Sequence, residues 1–264
     1  MKWSDRADSA VKQVPFFIRK KVKKKIETHA AQKGKTSVEL TDVNELKKQF
    51  LSVGGMEKEI KGYEISTCFG SAGCVNAATP SAALAQDIEN FIAKEDMLCF
   101  LKNNVKGDLK FHHEFRIAFS DCPNACSRPQ IVDIGVIGAV LPCLSREPCT
   151  LCNACVETCD ENAVSFDDGA DRPFIDYDKC MMCGKCIKVC PVGTITEKEK
   201  GFRVLLGGRL GRHPRLAMEI PGLKTHDEVL KIVGNCVKFY KKNSKNGRRF
   251  SDILVSIDQI THMD

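Results

Sequence analysis

Two stretches of the chain share one spacing of cysteines, and that spacing limits what it can fold into more than any other feature. CTLCNACVETC (149–159) and CMMCGKCIKVC (180–190) both read CxxCxxCxxxC. Three thiols at this short spacing wrap one loop around the corner of a cubane iron–sulfur cluster, and the fourth reaches a second cluster. The repeat therefore predicts crossed ligation: Cys149, Cys152, Cys155 and Cys190 around one 4Fe-4S cluster, and Cys180, Cys183, Cys186 and Cys159 around the other. Zinc sites usually separate two CxxC pairs by a longer loop, so spacing and repetition both favour iron and sulfide. One position breaks the repeat. Pro191 follows the last cysteine of the second motif, whereas Asp160 follows that of the first, which predicts a different local turn and a different reduction potential.

The 264 residues are enough to bury a core, as one large domain with an insertion or as two to three small ones. Their 15 cysteines far exceed what packing needs. The start, MKWSDRADSAVKQ, lacks the apolar stretch of a secretory signal. The longest apolar run, around Ile131 to Leu141, is too short to span a bilayer and contains Asp133. These features predict a cytoplasmic protein without membrane association, in which clustered cysteines serve as metal ligands rather than disulfides. The net charge of +6 is uneven, because residues 1–50 hold 13 Lys/Arg against 6 Asp/Glu. Arg19, Lys20, Lys21, Lys23, Lys24 and Lys25 surround Val22 on a predicted helix, as a solvated face or as a surface for an acidic protein or anionic cofactor. No nucleic-acid-reading motif accompanies them, so a nucleic-acid partner is not expected.

Hydrophobic periodicity predicts a helix that stops before Pro15, a second with a stripe of Ile18, Val22, Ile26 and Ala30 closed by Gly34, and a third from Thr41 with Val43, Leu46 and Phe50 inward. Gly54 and Gly55 mark the exit. A later helix starts at Thr79 and Pro80 and buries Ala83, Leu84, Ile88, Phe91 and Ile92. Alternation over Leu109, Phe111, His113, Phe115, Ile117 and Phe119 predicts a strand leading to Cys122, and another strand covers Ile131 to Val140. Beyond the cysteine repeats come a strand at Phe202–Leu206, a helix opened by the capping box Thr225 and Glu228, and a last helix over Phe250–Ile260. Cys236 and Cys99 read as core residues, Cys143 has no assigned role, and His112, His113 and His213 read as structural rather than reactive.

A second cysteine set, Cys68 with Cys74 and Cys122 with Cys126, lies in two loops, and four thiolates from two loops can hold one more cubane. Here the chain resembles a known family. STCFGSAGC followed by SDCPNACSRPQIVDIGVIG looks like the sirohaem and 4Fe-4S signature of sulfite and nitrite reductases, and GGRLGRHP and RRFSDILVSI resemble the end of the same domain. The two repeats themselves resemble a two-cluster bacterial ferredoxin, at a location similar to that in dissimilatory and anaerobic sulfite reductases. Independently, residues 1–50 resemble the small domain at the end of the B subunit of light-independent protochlorophyllide reductase.

The resemblance implies an α+β fold: a small helical domain (1–52), a sulfite-reductase-like mixed α/β half-domain (60–146 and 200–264), and an inserted ferredoxin domain (147–199). It implies three 4Fe-4S clusters and sirohaem, with Cys126 bridging the third cubane to the sirohaem iron and Cys68, Cys74 and Cys122 completing that cubane. Asn124, Arg128 and Arg209 become candidate cofactor-binding residues, and Arg128, Arg209 and Arg212 candidate catalytic cations for a small anionic substrate, sulfite or nitrite. Sulfite reductases of this family build their site from two related halves, and only one is recognisable here. The expectation is therefore a homo- or hetero-oligomer that completes the site and receives electrons from a redox partner protein. The alternative is a non-catalytic iron–sulfur electron-transfer subunit of a larger redox complex.

Overall fold

A computed structural model describes residues 1–12, 16–46 and 60–263, and the chain divides into two compact units, Met1–Ile60 and Lys61–Asp264. In the first unit β1 (Lys2–Trp3) leads into α1 (Asp5–Lys12). α2 (Phe16–Gln32) follows, then β2 (Ser37–Val38), which pairs in parallel with β1, and residues 40–46 are helical (α3). Ile26 and Ala30 of the predicted stripe are buried with Ala7, Val11, Val38 and Val43, and Val22 packs against them. Pro15, Phe50, Gly54, Gly55 and the side chain of Ile18 lie outside what is described. The short β1–β2 pair was not legible, since two residues carry no period.

The second unit is built on a five-stranded sheet in the order β3 (Tyr63–Thr67), β4 (Phe115–Ser120), β5 (Ile134–Leu144), β8 (Ile195–Leu206), β9 (Met218–Lys224). The first three strands are parallel and the last two join antiparallel. The β3-to-β4 crossover runs through α4 (Ala82–Ala93) and α5 (Met97–Asn104), the long connection a parallel pair requires. β6 (Val164–Ser165) and β7 (Phe174–Ile175) form a separate small hairpin between α6 (Ala154–Glu157) and α7 (Lys185–Val189). α8 (His226–Asn243) starts at the Thr225/Glu228 capping box and, with α4, covers the sheet: Leu84, Ile88 and Ile92 meet Phe115, Ile117, Val136, Val204, Val233, Cys236 and Tyr240 in one core.

Several elements differ from the sequence reading. Residues 109–114 are not strand. Residues 111–113 form a 3-10 turn, because the register with β3 begins only at Tyr63↔Phe115, and Lys61 N–H is instead held by the buried Glu114 carboxylate at 2.9 Å. His113 therefore has no inward strand position; its Nδ1 accepts from Lys110 N–H at 3.0 Å. On α4 the buried small residue is Ala85, and Ala83 is exposed. The expected C-terminal helix is two short ones, α9 (Phe250–Ile253) and α10 (Asp258–Thr261). Cys99 is exposed rather than core, whereas Cys236 is fully buried.

β5 and β8 pair from Ile134↔Leu206 to Leu144↔Ile195, with one irregularity between Leu141 and Pro142. Residues 145–194 are thus the loop of one long hairpin. Ser145 N–H donates to Thr194 O at 2.8 Å, and a satellite core of Cys155, Val164, Ile175, Cys186 and Ile195 fills the loop.

Candidate metal centres

Cys68 and Cys122 stand just beyond the carboxyl ends of the adjacent parallel strands β3 and β4, where such sheets commonly receive ligands. Cys68 N–H donates to Phe119 O at 2.9 Å, and the Cys68 sulfur accepts from the N–H groups of Gly70 and Asp121, both at 3.3 Å. A 3-10 turn over Gly70–Ala72 returns the chain to Cys74, and left-handed Ala125 (φ 53°) and Arg128 (φ 59°) turn it around Cys126. Burial pushes the Cys122 thiol up, the Asn124 N–H opposes this, and the nearby Cys126, Cys68 and Cys74 thiols push it up further. The four sulfurs therefore share one electrostatic neighbourhood.

Buried Asp121, which sequence reasoning missed, fastens these loops. Its carbonyl accepts from the N–H groups of Ala78 (2.8 Å) and Thr79 (3.1 Å), and its carboxylate accepts from Ser81 N–H at 3.0 Å and from the Ser81 hydroxyl. Both loops lie on β5 at Gly138, where an added Cβ would stand 2.3 Å from Thr79 O and 2.7 Å from Asp121 O. Gly138→Ala is accordingly expected to destabilise the protein by about 1–3 kcal/mol and to lower its iron content, as thermal melting and iron analysis of the same preparation would show.

The two CxxCxxCxxxC motifs adopt matching backbones. Leu151 (φ 55°) and Asn153 (φ 58°) recur as Met182 (φ 58°) and Gly184 (φ 70°). Leucine and methionine rarely adopt this left-handed conformation, which costs of order 1–3 kcal/mol each. The turn aims Leu151 N–H at the Cys149 sulfur and Met182 N–H at the Cys180 sulfur, both at 3.4 Å. Ala163 N–H reaches the Cys159 sulfur at 3.2 Å and Ile195 N–H the Cys190 sulfur at 3.4 Å. Burial pushes the Cys186 thiol up to about 12, with Cys180, Cys183 and Cys159 adding to it. Burial likewise raises Cys155, with Cys149 and Cys152 in its neighbourhood. Cys159 thus groups with the second motif's triplet rather than with its own. Burial alone would raise Cys190, yet N–H groups of Ile195, Val192, Gly193 and Thr194 outweigh it and bring the thiol down.

Among the described residues, no group of three or more His, Cys, Asp or Glu is close enough to hold one metal ion. A cubane binds each thiolate through a different iron, so its ligands stand farther apart than those of a tetrahedral zinc. Backbone N–H groups aimed at the Cys68, Cys149, Cys159, Cys180 and Cys190 sulfurs suit ligands of an iron–sulfur core.

The 145–194 loop meets the Cys68/Cys122 region directly. Val140 N–H donates to Met182 O at 2.8 Å, and the Lys188 ammonium donates to Val75 O at 3.2 Å and Ala77 O at 2.8 Å. Ala78, Cys122, Val140 and Ile187 form a small apolar cluster there.

The basic candidates fare unevenly. Exposed Arg128 begins the 129–131 turn, and Asn124 is exposed in the Cys122–Cys126 loop. The 207–217 loop is bonded to the same turn, Ala217 N–H donating to Gln130 O at 2.8 Å, and carries Arg212 exposed. Arg209 is engaged with Asp252 and donates to His213 O at 2.8 Å. Arg215, also missed from sequence, pins Gly207 O, Ser251 O and Leu254 O. In the first unit Lys23 pairs with Asp8 at 2.5 Å, so the Arg19–Lys25 cluster is partly neutralised. No helix among the described residues is long and apolar enough to cross a membrane.

Residues 63–258 match the nitrite and sulphite reductase 4Fe-4S domain, and residues 3–47 match the proto-chlorophyllide reductase 57 kD subunit. The coenzyme F420-dependent sulfite reductase of Methanocaldococcus jannaschii is 36% identical over 137 residues, 52% of this chain and 22% of that protein. The C subunit of the anaerobic sulfite reductase of Salmonella typhimurium is 27% identical over 129 residues, 48% of this chain and 32% of that protein. The chain thus spans a third or less of these curated relatives. The crystal structure of dissimilatory sulfite reductase I shares the fold, with a TM-score of 0.52 at 16% identity over 76% of this chain and 52% of that one. With three-quarters of its length matched, this chain belongs to the nitrite and sulphite reductase 4Fe-4S domain family, joined to an N-terminal segment of the protochlorophyllide reductase type.

Proposed function

We propose that this chain is a sirohaem- and iron–sulfur-dependent reductase of sulfite, with an inserted two-cluster ferredoxin domain at 147–199. The observation that carries this reading is the convergence of two cysteine-bearing loops at the ends of two parallel strands, where the Cys68 sulfur accepts from the N–H of Asp121, next to Cys122. Cys68, Cys74, Cys122 and Cys126 would hold one cubane, with Cys126, exposed like Cys74 but two residues from Arg128, facing sirohaem. Cys180, Cys183, Cys186 and Cys159 would hold the proximal ferredoxin cluster, and Cys149, Cys152, Cys155 and Cys190 the distal one, where electrons enter. When bound, these groups supply electrons one at a time to an anion that must accept several. The protein supplies the rest: Asn124 and Arg128 offer donors to a carboxylated macrocycle, and Arg128 and Arg212 offer fixed cations to the substrate oxygens. Arg209 orders the 207–217 loop through Asp252 and so positions Arg212.

Phe69 and Val75 flank Cys68 and Cys74 and are 86% and 85% exposed. Apolar side chains at the mouth of a reducing site suit cover by another polypeptide, so the working protein is a multi-subunit complex, with a redox partner protein as donor. Iron, acid-labile sulfide and haem analysis of one anaerobic preparation tests the proposal. About 13 irons per chain with sirohaem absorption bands are expected from three cubanes and one haem iron. About 12 irons without those bands, after expression with sirohaem synthesis intact, would instead assign the chain to electron transfer alone.

A further inference from the structure

The two motifs differ in charge at several positions, and the structure brings two of these together. Asp160 stands where the second motif has Pro191, and Lys185 stands where the first motif has Ala154. The Lys185 ammonium pairs with the Asp160 carboxylate at 2.5 Å. Both line a cavity of about 80 Å³ with Cys159, Cys180, Cys183 and Asn124. The cavity thus joins one thiol set, the tip of the Cys122–Cys126 loop and this ion pair. Asp160 is 73% exposed and Lys185 31%, so the carboxylate is the more water-screened partner and leaves part of the lysine charge uncompensated toward the sulfurs. Ile187, two residues beyond Lys185, packs in the small apolar cluster that holds Cys122 of the other set.

We propose that Lys185 is a positioning charge that raises the reduction potential of both the Cys159/Cys180/Cys183/Cys186 cluster and the Cys68/Cys74/Cys122/Cys126 cubane, and that Asp160 holds part of this effect back. The proposal rests on the reading of these thiol sets as cluster ligands. An electron added to a cubane makes it more negative, so a fixed cation beside it favours the reduced form, more strongly where water is partly excluded. One lysine between two acceptors lifts both, whereas Ala154 offers the distal set no such charge. The distal cluster is left without this lift, which favours transfer from it to the other two. Because Asp160 takes the place of a residue with no charge, its loss increases what Lys185 exerts.

Redox titration of the anaerobically purified full chain, followed by electron paramagnetic resonance, tests this. Lys185→Met is expected to lower the midpoints of the proximal cluster and the third cubane and to leave the distal one unmoved. Asp160→Asn, at an exposed site where folding is not at risk, is expected to move the same two midpoints upward. Unchanged midpoints in both variants at wild-type iron content overturn the proposal, as does an equal shift of all three. Wild-type iron content is a separate measurement: fewer than about 12 irons per chain refutes the three-cluster reading itself. The response of the proximal cluster to Lys185→Met still decides the proposal in that case.

Discussion

Cys122→Ala is expected to remove one whole cubane: about 4 of about 12 cluster irons, with the two ferredoxin clusters retained. The thiol is buried between the loops that follow β3 and β4, and the three sulfurs around it come from both loops. No other cysteine in either loop can replace it, since Cys68, Cys74 and Cys126 are the remaining members of the set. The same preparation is expected to lose sirohaem absorption, because Cys126 is left without the core that holds it in place. Retention of full iron content by Cys122→Ala would remove this cysteine, and with it the reductase reading, from consideration. Cys143→Ala is the matched control. Cys143 lies on β5 opposite Thr196, outside the three sets, and its loss leaves iron content unchanged.

Phe115→Ala is expected to cost about 3–5 kcal/mol. Phe115 is 1% exposed and meets Tyr240 and Phe250 with ring centroids 5.3 and 5.4 Å away. The truncation leaves a cavity where β4, α8 and α9 converge, and neither aromatic partner can fill it without leaving its own packing. For a domain of this size the apparent melting temperature falls on the order of 10 °C, measured anaerobically by circular dichroism. A fall of under about 2 °C would show that the three rings do not form one packed unit.

Legibility in the sequence followed how local each signal was. The cysteine repeats, the Thr225 capping box and the apolar stripe of α8 were readable because each is complete within a dozen residues. The crossed set of Cys159 with Cys180, Cys183 and Cys186 is an expectation of the repeat's spacing, and these four cysteines line one cavity. β9 was missed because Pro221 and Gly222 interrupt its alternation, which an edge strand tolerates. The strand expected from Leu109 was overextended because the Phe111–His113 turn carries apolar and polar residues in the same alternation as a strand. Asp121, Arg215 and Lys188 were invisible because their work is to satisfy carbonyls or N–H groups distant in sequence, and no local pattern records such a partner. Arg209 was legible as a cation but not as one already bound to Asp252.

The β5–β8 hairpin behaves as a stem that carries residues 145–194 against the Cys68/Cys122 region. Under the proposed function, a donor carried on such a stem cannot be diluted away, so its effective concentration would be fixed by covalent structure rather than by expression level. Side chains along the stem alternate between faces, so a single residue added to one strand would turn every later contact to the wrong side. Lengthening is tolerable at the tip of the module, while the stem must keep its residue count.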